Sequence, residues 1–273
     1  MFSRFNVTLD DYFYNTEINR HLSLGHNIYS RNQKMIYPAL EKYILPGGAL
    51  DGTKMRQDWF PQQKYDVFLS HSHKDINKVK AFAGWLSDVF GLQCFIDSSV
   101  WGYSDDLLKK IDDRYCLNKS SHTYDYQTRN YSTSHVHMML STALEDMMDH
   151  CECLMFLNTP SSISVEDNLK HIKSGHKTKE LTSSPWIYQE LSLSRLLRIQ
   201  IPDRIKAGRM TYEQRSKDLR NECIDISYDV SSYLTEMREL DCARLEAWKK
   251  AYNPNGRNAL DALYRLNGLL KIL

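Results

Sequence analysis

Apolar positions along the chain switch between two rhythms, and the switches mark its elements. Tyr65-Asp66-Val67-Phe68-Leu69 is a short, nearly continuous apolar run, as expected of a strand covered on both faces. After the polar turn Ser70-His71-Ser72-His73-Lys74-Asp75, apolar residues recur at three- and four-residue spacing: Ile76, Val79, Phe82, Ala83, Leu86, Val89 and Phe90. That spacing predicts a helix, and Gly91 stands where a helix stop belongs. Leu92-Gln93-Cys94-Phe95-Ile96 predicts a second strand. Strand, helix, strand at this pitch is a βαβ unit, which implies a parallel sheet.

The pattern continues downstream with interruptions. A loop from Asp97 to Ser104 leads into a helical stretch ending near Asp113, and residues 114–133 are polar and look like an inserted loop. Ser134 can cap a helix whose apolar face is Leu140, Ala143, Leu144, Met147 and Met148, and Cys153-Leu154-Met155-Phe156-Leu157 predicts a further buried strand. A second long polar loop, 158–183, ends at Ser184-Pro185, a serine cap followed by proline in the first helical position, so a helix is expected to about Leu197. Ile224, Ile226, Tyr228 and Val230 alternate in period two, which suits a half-buried edge strand. The tail predicts helices over 233–252 and 259–273, the latter with Leu263, Leu266 and Leu270 on one stripe. Ahead of all this, residues 1–63 form a prefix with one expected helix over 31–44, kinked at Pro38. The fold class is α/β: a core over 64–230 with an N-terminal extension, 1–63, and a helical C-terminal extension, 231–273.

Composition narrows the function classes. The formal net charge of +1, from 35 basic and 34 acidic side chains, gives no electrostatic footprint for nucleic acid or an anionic membrane. No apolar run approaches the roughly 20 residues of a membrane-spanning helix, and Met1 to Asn6 lacks the basic start and apolar stretch of a signal peptide. The six cysteines are scattered through a chain long enough to need no disulfide staples, so reduced thiols and a cytoplasmic location are expected. Cys151 and Cys153 have no further ligands at metal-site spacing, and His71-x-His73 lacks a third and fourth ligand, so no metal is expected.

Three segments, in order, resemble the Toll/interleukin-1 receptor (TIR) family. Tyr65 to Asp75 resembles the family's opening strand and loop, and Gly91 to Asp97 its second strand entering the BB loop. Ser184-Pro185-Trp186-Ile187-Tyr188-Gln189-Glu190-Leu191 resembles its Ser-x-Trp-x-x-x-Glu-Leu helix. The resemblance implies a flavodoxin-like doubly wound sheet of about five strands. Enzymatic members cleave NAD+ to nicotinamide and ADP-ribose or a cyclic isomer, and bacterial ones often serve in defence against phage. Other members are non-catalytic interaction modules. The essential glutamate of the enzymes maps onto Glu190 and the aromatic residue one turn earlier onto Trp186. The loop after the first strand departs from several enzymatic members, with His71 and His73 where they carry arginine.

The chemistry suits those residues. Nicotinamide leaves NAD+ as a neutral base and needs no general acid, whereas the ribosyl cation left behind needs a fixed anion in a water-poor cleft. Glu190 and Trp186, spaced i, i+4, project from one helix face, and an indole against a pyridinium is worth about 0.5–2 kcal/mol. Ser70, His71, Asp97, Ser98, Trp101 and Tyr103 follow the first two strands, where open α/β sheets bind ligands, and are candidate substrate-binding walls. Each has a plainer alternative: Glu190 a solvated helix residue, Trp186 core, Asp97 a turn former. The expected function is an NAD+ glycohydrolase or cyclase, with NAD+ as substrate and no separate cofactor. It is expected to self-associate through TIR–TIR contacts, with a partner protein of a defence system possible. The alternatives are a TIR interaction module and a receiver-type phosphorylation domain, although the latter would want clustered acids where Ser70-His71-Ser72-His73 stands.

Overall fold

The central sheet draws its five strands from the whole length of the chain. They are β1 Ser3–Val7, β2 Val67–Ser70, β3 Cys94–Ile96, β4 Cys153–Leu157 and β5 Arg238–Leu240. They lie in the order β5-β1-β4-β2-β3, and every neighbouring pair is parallel. The computed structural model describes residues 1–32, 39–60, 64–99, 101–118, 120–165, 179–206, 227–254 and 258–270, without the side chains of residues 32, 101–103, 165 and 206.

Helices cover both faces. Against Phe68, Phe95, Leu154 and Phe156 lie α2 Gly52–Trp59, α4 Trp101–Tyr115, α5 Tyr126–His150, α6 Pro185–Leu196 and α7 Ser231–Glu236. Against Val67, Leu69, Ile96, Met155, Phe5 and Val7 lie α3 Ile76–Phe90, α8 Cys242–Ala251 and α9 Ala259–Leu266. α1, Leu22–Asn32, packs on the outside of α3. Trp85 of α3 sits at the centre of that layer, edge-on to Phe13, Phe90 and Trp248, and Phe90 stacks on Trp248 at 3.8 Å between ring centres. Each apolar side chain buried this way contributes roughly 1.5–3 kcal/mol, which fixes the face each helix turns inward. α3 ends where the sequence places its stop, with Gly91 left-handed at φ +68° and its N–H on the Leu86 and Ser87 carbonyls.

The sheet does not respect a division at residues 63 and 231. β1, from the prefix, pairs with β4 along five registered positions and with β5 on its other side, so it is an interior strand. Its alternation explains the placement: Phe5 and Val7 are wholly buried in one face, while Asn6 on the other donates to Glu239 Oε1 at 3.0 Å. The prefix and the tail are parts of the layered core, and β5 interrupts the stretch 233–252 that reads as one helix.

Other differences are local. The expected helix over 31–44 is replaced by α1, which ends at Asn32, and a 3-10 turn at Leu40–Tyr43; residues 33–38 lie outside the described ones. The second half of the expected 114–133 loop is the start of α5, capped by Asp125 on the Thr128 N–H at 2.8 Å, and Ser134 instead donates back to the Asn130 carbonyl. Tyr228–Asp229 does not edge the central sheet; it pairs antiparallel with Glu180–Thr182, which pairs with Ser164–Val165. Ile224 and Ile226 lie outside the described residues. In α9 the buried face is Ala259, Leu260, Leu263 and Tyr264, and Leu266 is turned to solvent. Among the described residues no helix is long and apolar enough to cross a membrane, and Cys94, Cys116, Cys151, Cys153 and Cys242 are free thiols.

Topology singles out one edge of the sheet. β2 feeds α3 on one face, and the neighbouring β4 leads to α6 on the other. Adjacent parallel strands whose connections leave to opposite faces open a crevice above their carboxyl ends, the usual ligand position in doubly wound folds. Thr159, after β4, ties the two sides by donating from its hydroxyl to Asp75, after β2, at 2.6 Å.

Candidate active site

Strand alternation decides what reaches that crevice. Phe68 and Phe95 are paired across β2 and β3 and point to one face, so Ser70 and Asp97, two residues on, point to the same face at the carboxyl edge. α6 runs over this face. Its start is fixed by the Ser184 hydroxyl, which accepts the Ile187 N–H at 3.3 Å, and by Pro185 in the first turn. Ile187 and Leu191 anchor the helix in the core, and the same face delivers Glu190.

The result is a closed polar cluster. Ser70 Oγ donates to Glu190 Oε2 at 2.6 Å. His71 Nδ1 stands 2.6 Å from Asp97 Oδ1, and His71 Nε2 stands 3.1 Å from the Ser98 hydroxyl. Asp97 Oδ1 also accepts the Ser98 N–H at 2.6 Å. Glu190 is 1% exposed, Ser70, His71 and Asp97 are 0% exposed and Ser98 4%, so water contributes almost nothing to their solvation.

Charge is suppressed throughout. Burial holds the Glu190 carboxyl well above the ordinary range, and the neighbouring Asp97 pushes the same way, against the Ser70 hydrogen bond. Burial raises Asp97 to about 8 despite its hydrogen bonds to Ser98 and Glu190. Burial lowers His71 to about 4, against the pull of Glu190 and Asp75. The two carboxyls are close enough to act on each other's titration, and no described N–H or hydroxyl reaches Glu190 Oε1 or Asp97 Oδ2. Burial thus favours the uncharged form of both carboxyls and of the imidazole.

Ser70, His71, Asp97, Ser98 and Glu190 thus come together. Trp186 stands apart in character: it is half-buried, packs on the core of its face and meets the His137 ring edge-on at 5.8 Å. The side chains of Trp101 and Tyr103 lie outside the described ones. His71 and His73 do not act as a pair, since His71 is buried and His73 exposed, and among the described residues no group of three or more metal-type ligands converges. Two cavities lined by described residues, of about 420 and 610 Å³, lie elsewhere, and Glu190 lines neither.

Two residues at the site carry no sequence signal. Tyr29, from α1, donates its hydroxyl to the Ser98 carbonyl at 3.2 Å, and Lys80, from α3, holds its ammonium 4.0 Å over the Tyr29 ring. Comparison of the chain with models of known protein families, with curated proteins and with solved structures finds no match.

Proposed function

We propose that the chain is an NAD+ nucleosidase, with Glu190 as the anion that faces the ribose. The supporting observation is the position of Glu190: α6 carries it to the carboxyl ends of β2 and β3, against Ser70 and Asp97. The motif resemblance supplies the reaction class.

In this reading the C1–nitrogen bond of the nicotinamide ribosyl group breaks, and its electron pair neutralises the pyridinium. Water, or a nitrogen of the adenine ring, then adds to C1, and one proton leaves. A charged Glu190 stabilises the developing ribosyl cation, whereas burial in the resting cluster favours its protonated form. The substrate supplies the bias to ionise it. A pyridinium charge about 4 Å from a carboxylate, at an effective dielectric near 20, is worth about 4 kcal/mol, roughly three pK units. That attraction acts against burial and favours the ionised carboxylate. Opening must accompany binding, because Glu190 is sealed, and contacts between copies of the chain are the proposed trigger. NAD+ depletion then fits a role in defence against phage, testable by phage challenge of cells carrying wild type or Glu190→Gln.

The complete burial of Glu190 also favours a second reading, in which the acid pair is a structural element of a non-catalytic TIR interaction module. A pH profile of nicotinamide release at high protein concentration separates the two. The nucleosidase reading expects activity that rises with pH above the ordinary carboxylate range, because the anionic form is required. No release at any pH or concentration leaves the interaction module.

A further inference from the structure

We infer that Lys80 is the anchor for the phosphate groups of the substrate, held in place by Tyr29; the inference rests on the nucleosidase reading and extends it to a residue outside the recognisable motifs. The dinucleotide carries a pyrophosphate that wants a cation beside the cleft. In the loop after β2, His71 is buried and held neutral, His73 is an exposed histidine, and Lys74 is an exposed lysine at the loop's far end, just before α3.

Lys80 meets the requirement by position. Tyr29 donates to the Ser98 carbonyl at 3.2 Å, and Ser98 in turn meets His71 and Asp97, so the Lys80–Tyr29 stack abuts the buried cluster through one residue. Its charge is felt at His71. Among the described residues no carboxylate lies within ion-pair distance of its ammonium. Stacking on an aromatic face at 4.0 Å orients the ammonium without neutralising it, and so leaves its charge for an anion.

The pairing is built by two glycines. A Cβ on Gly25 would meet the Lys80 carbonyl oxygen at 1.8 Å, and one on Gly84 would meet the His21 carbonyl oxygen at 2.3 Å. α1 and α3 therefore touch backbone to backbone. Tyr29 lies one turn beyond Gly25, and Lys80 one turn before Gly84, so this close approach lays the ring under the ammonium.

The test compares the full-length chain with Lys80→Met and Lys80→Arg, using NAD+, nicotinamide riboside (which has no phosphate) and inorganic pyrophosphate. Lys80→Met should raise KM for NAD+ about tenfold, or ~1.4 kcal/mol, while KM for nicotinamide riboside moves less than about twofold. Pyrophosphate binding by calorimetry should weaken by a similar factor, and Lys80→Arg should restore most of both. Equal pyrophosphate binding by wild type and Lys80→Met, or equal KM shifts for both substrates, overturns the inference. A chain that binds pyrophosphate through Lys80 yet never releases nicotinamide refutes the nucleosidase reading alone; one that cleaves NAD+ with no dependence on Lys80 refutes the anchor alone.

Discussion

The buried acid pair makes a prediction about folding that needs no substrate. Asp97 holds its proton to a pH of about 8 in the folded chain, against an ordinary value of 3.8 when unfolded. Between those values the folded state keeps a proton that the unfolded state has released. The associated stability is therefore full below the lower value and is lost as pH rises through the upper one. The slope is about 1.4 kcal/mol per pH unit for each proton held. His71 has the opposite window: its folded value of about 4 lies below the ordinary 6.5, so it costs stability only as pH falls from 6.5. The interval from 6.5 to 8 is then free of His71, and Asp97 alone should cost the wild type about 2 kcal/mol across it. Glu190 adds in the same direction. Asp97→Asn keeps an acceptor for His71 and places an N–H donor beside Glu190, which removes both the acidic proton and the repulsion. Urea unfolding at several pH values in that interval measures the difference. Wild type should lose stability with rising pH, with the variant flatter by about 2 kcal/mol over the interval. Parallel curves would show that Asp97 is ionised in the folded chain, and the acid-pair account would fail with it.

Three further outcomes follow from the packing. Gly84→Ala forces a Cβ to 2.3 Å from the His21 carbonyl oxygen, immediately ahead of α1; separation of the helices should cost about 1–3 kcal/mol or more, read as a lowered melting temperature. Phe5→Ala empties a wholly buried position in an interior strand and should cost about 3–5 kcal/mol in equilibrium unfolding; a change within about 0.5 kcal/mol would place residues 1–7 outside the core. Ser70→Ala removes the donor that restrains the Glu190 pKa, so the pH of half-maximal nicotinamide release should move upward, and an unmoved profile would separate Ser70 from the chemistry.

The sequence shows its elements most clearly where a local rule and burial agree. α3 is bounded by a polar turn and a left-handed glycine, β4 is five apolar residues in a row, and α6 opens on a serine cap and a proline. It hides the strands that tertiary pairing alone defines. β1 alternates Phe5 and Val7 with Arg4 and Asn6 over too few residues to stand out, and β5, Arg238-Glu239-Leu240, has no apolar rhythm and lies between helices. The same contrast governs the site. Ser70, His71, Asp97 and Ser98 are legible because they end strands, and Glu190 because it follows a recognisable helix start. Tyr29 and Lys80 are not, because the contact that joins them depends on Gly25 and Gly84 meeting between two helices distant in sequence. Nor does residue order reveal that the five polar groups are closed off from water; that follows from how tightly α6 seats on the sheet.

The central claim concerns one carboxyl group and one bond, so the most direct measurement is chromatography of NAD+ after incubation with concentrated wild-type chain or Glu190→Gln, which keeps shape and hydrogen bonding but cannot carry charge. The account predicts nicotinamide with ADP-ribose or its cyclic isomer from wild type and intact NAD+ from the variant. Equal nicotinamide from both proteins would contradict it.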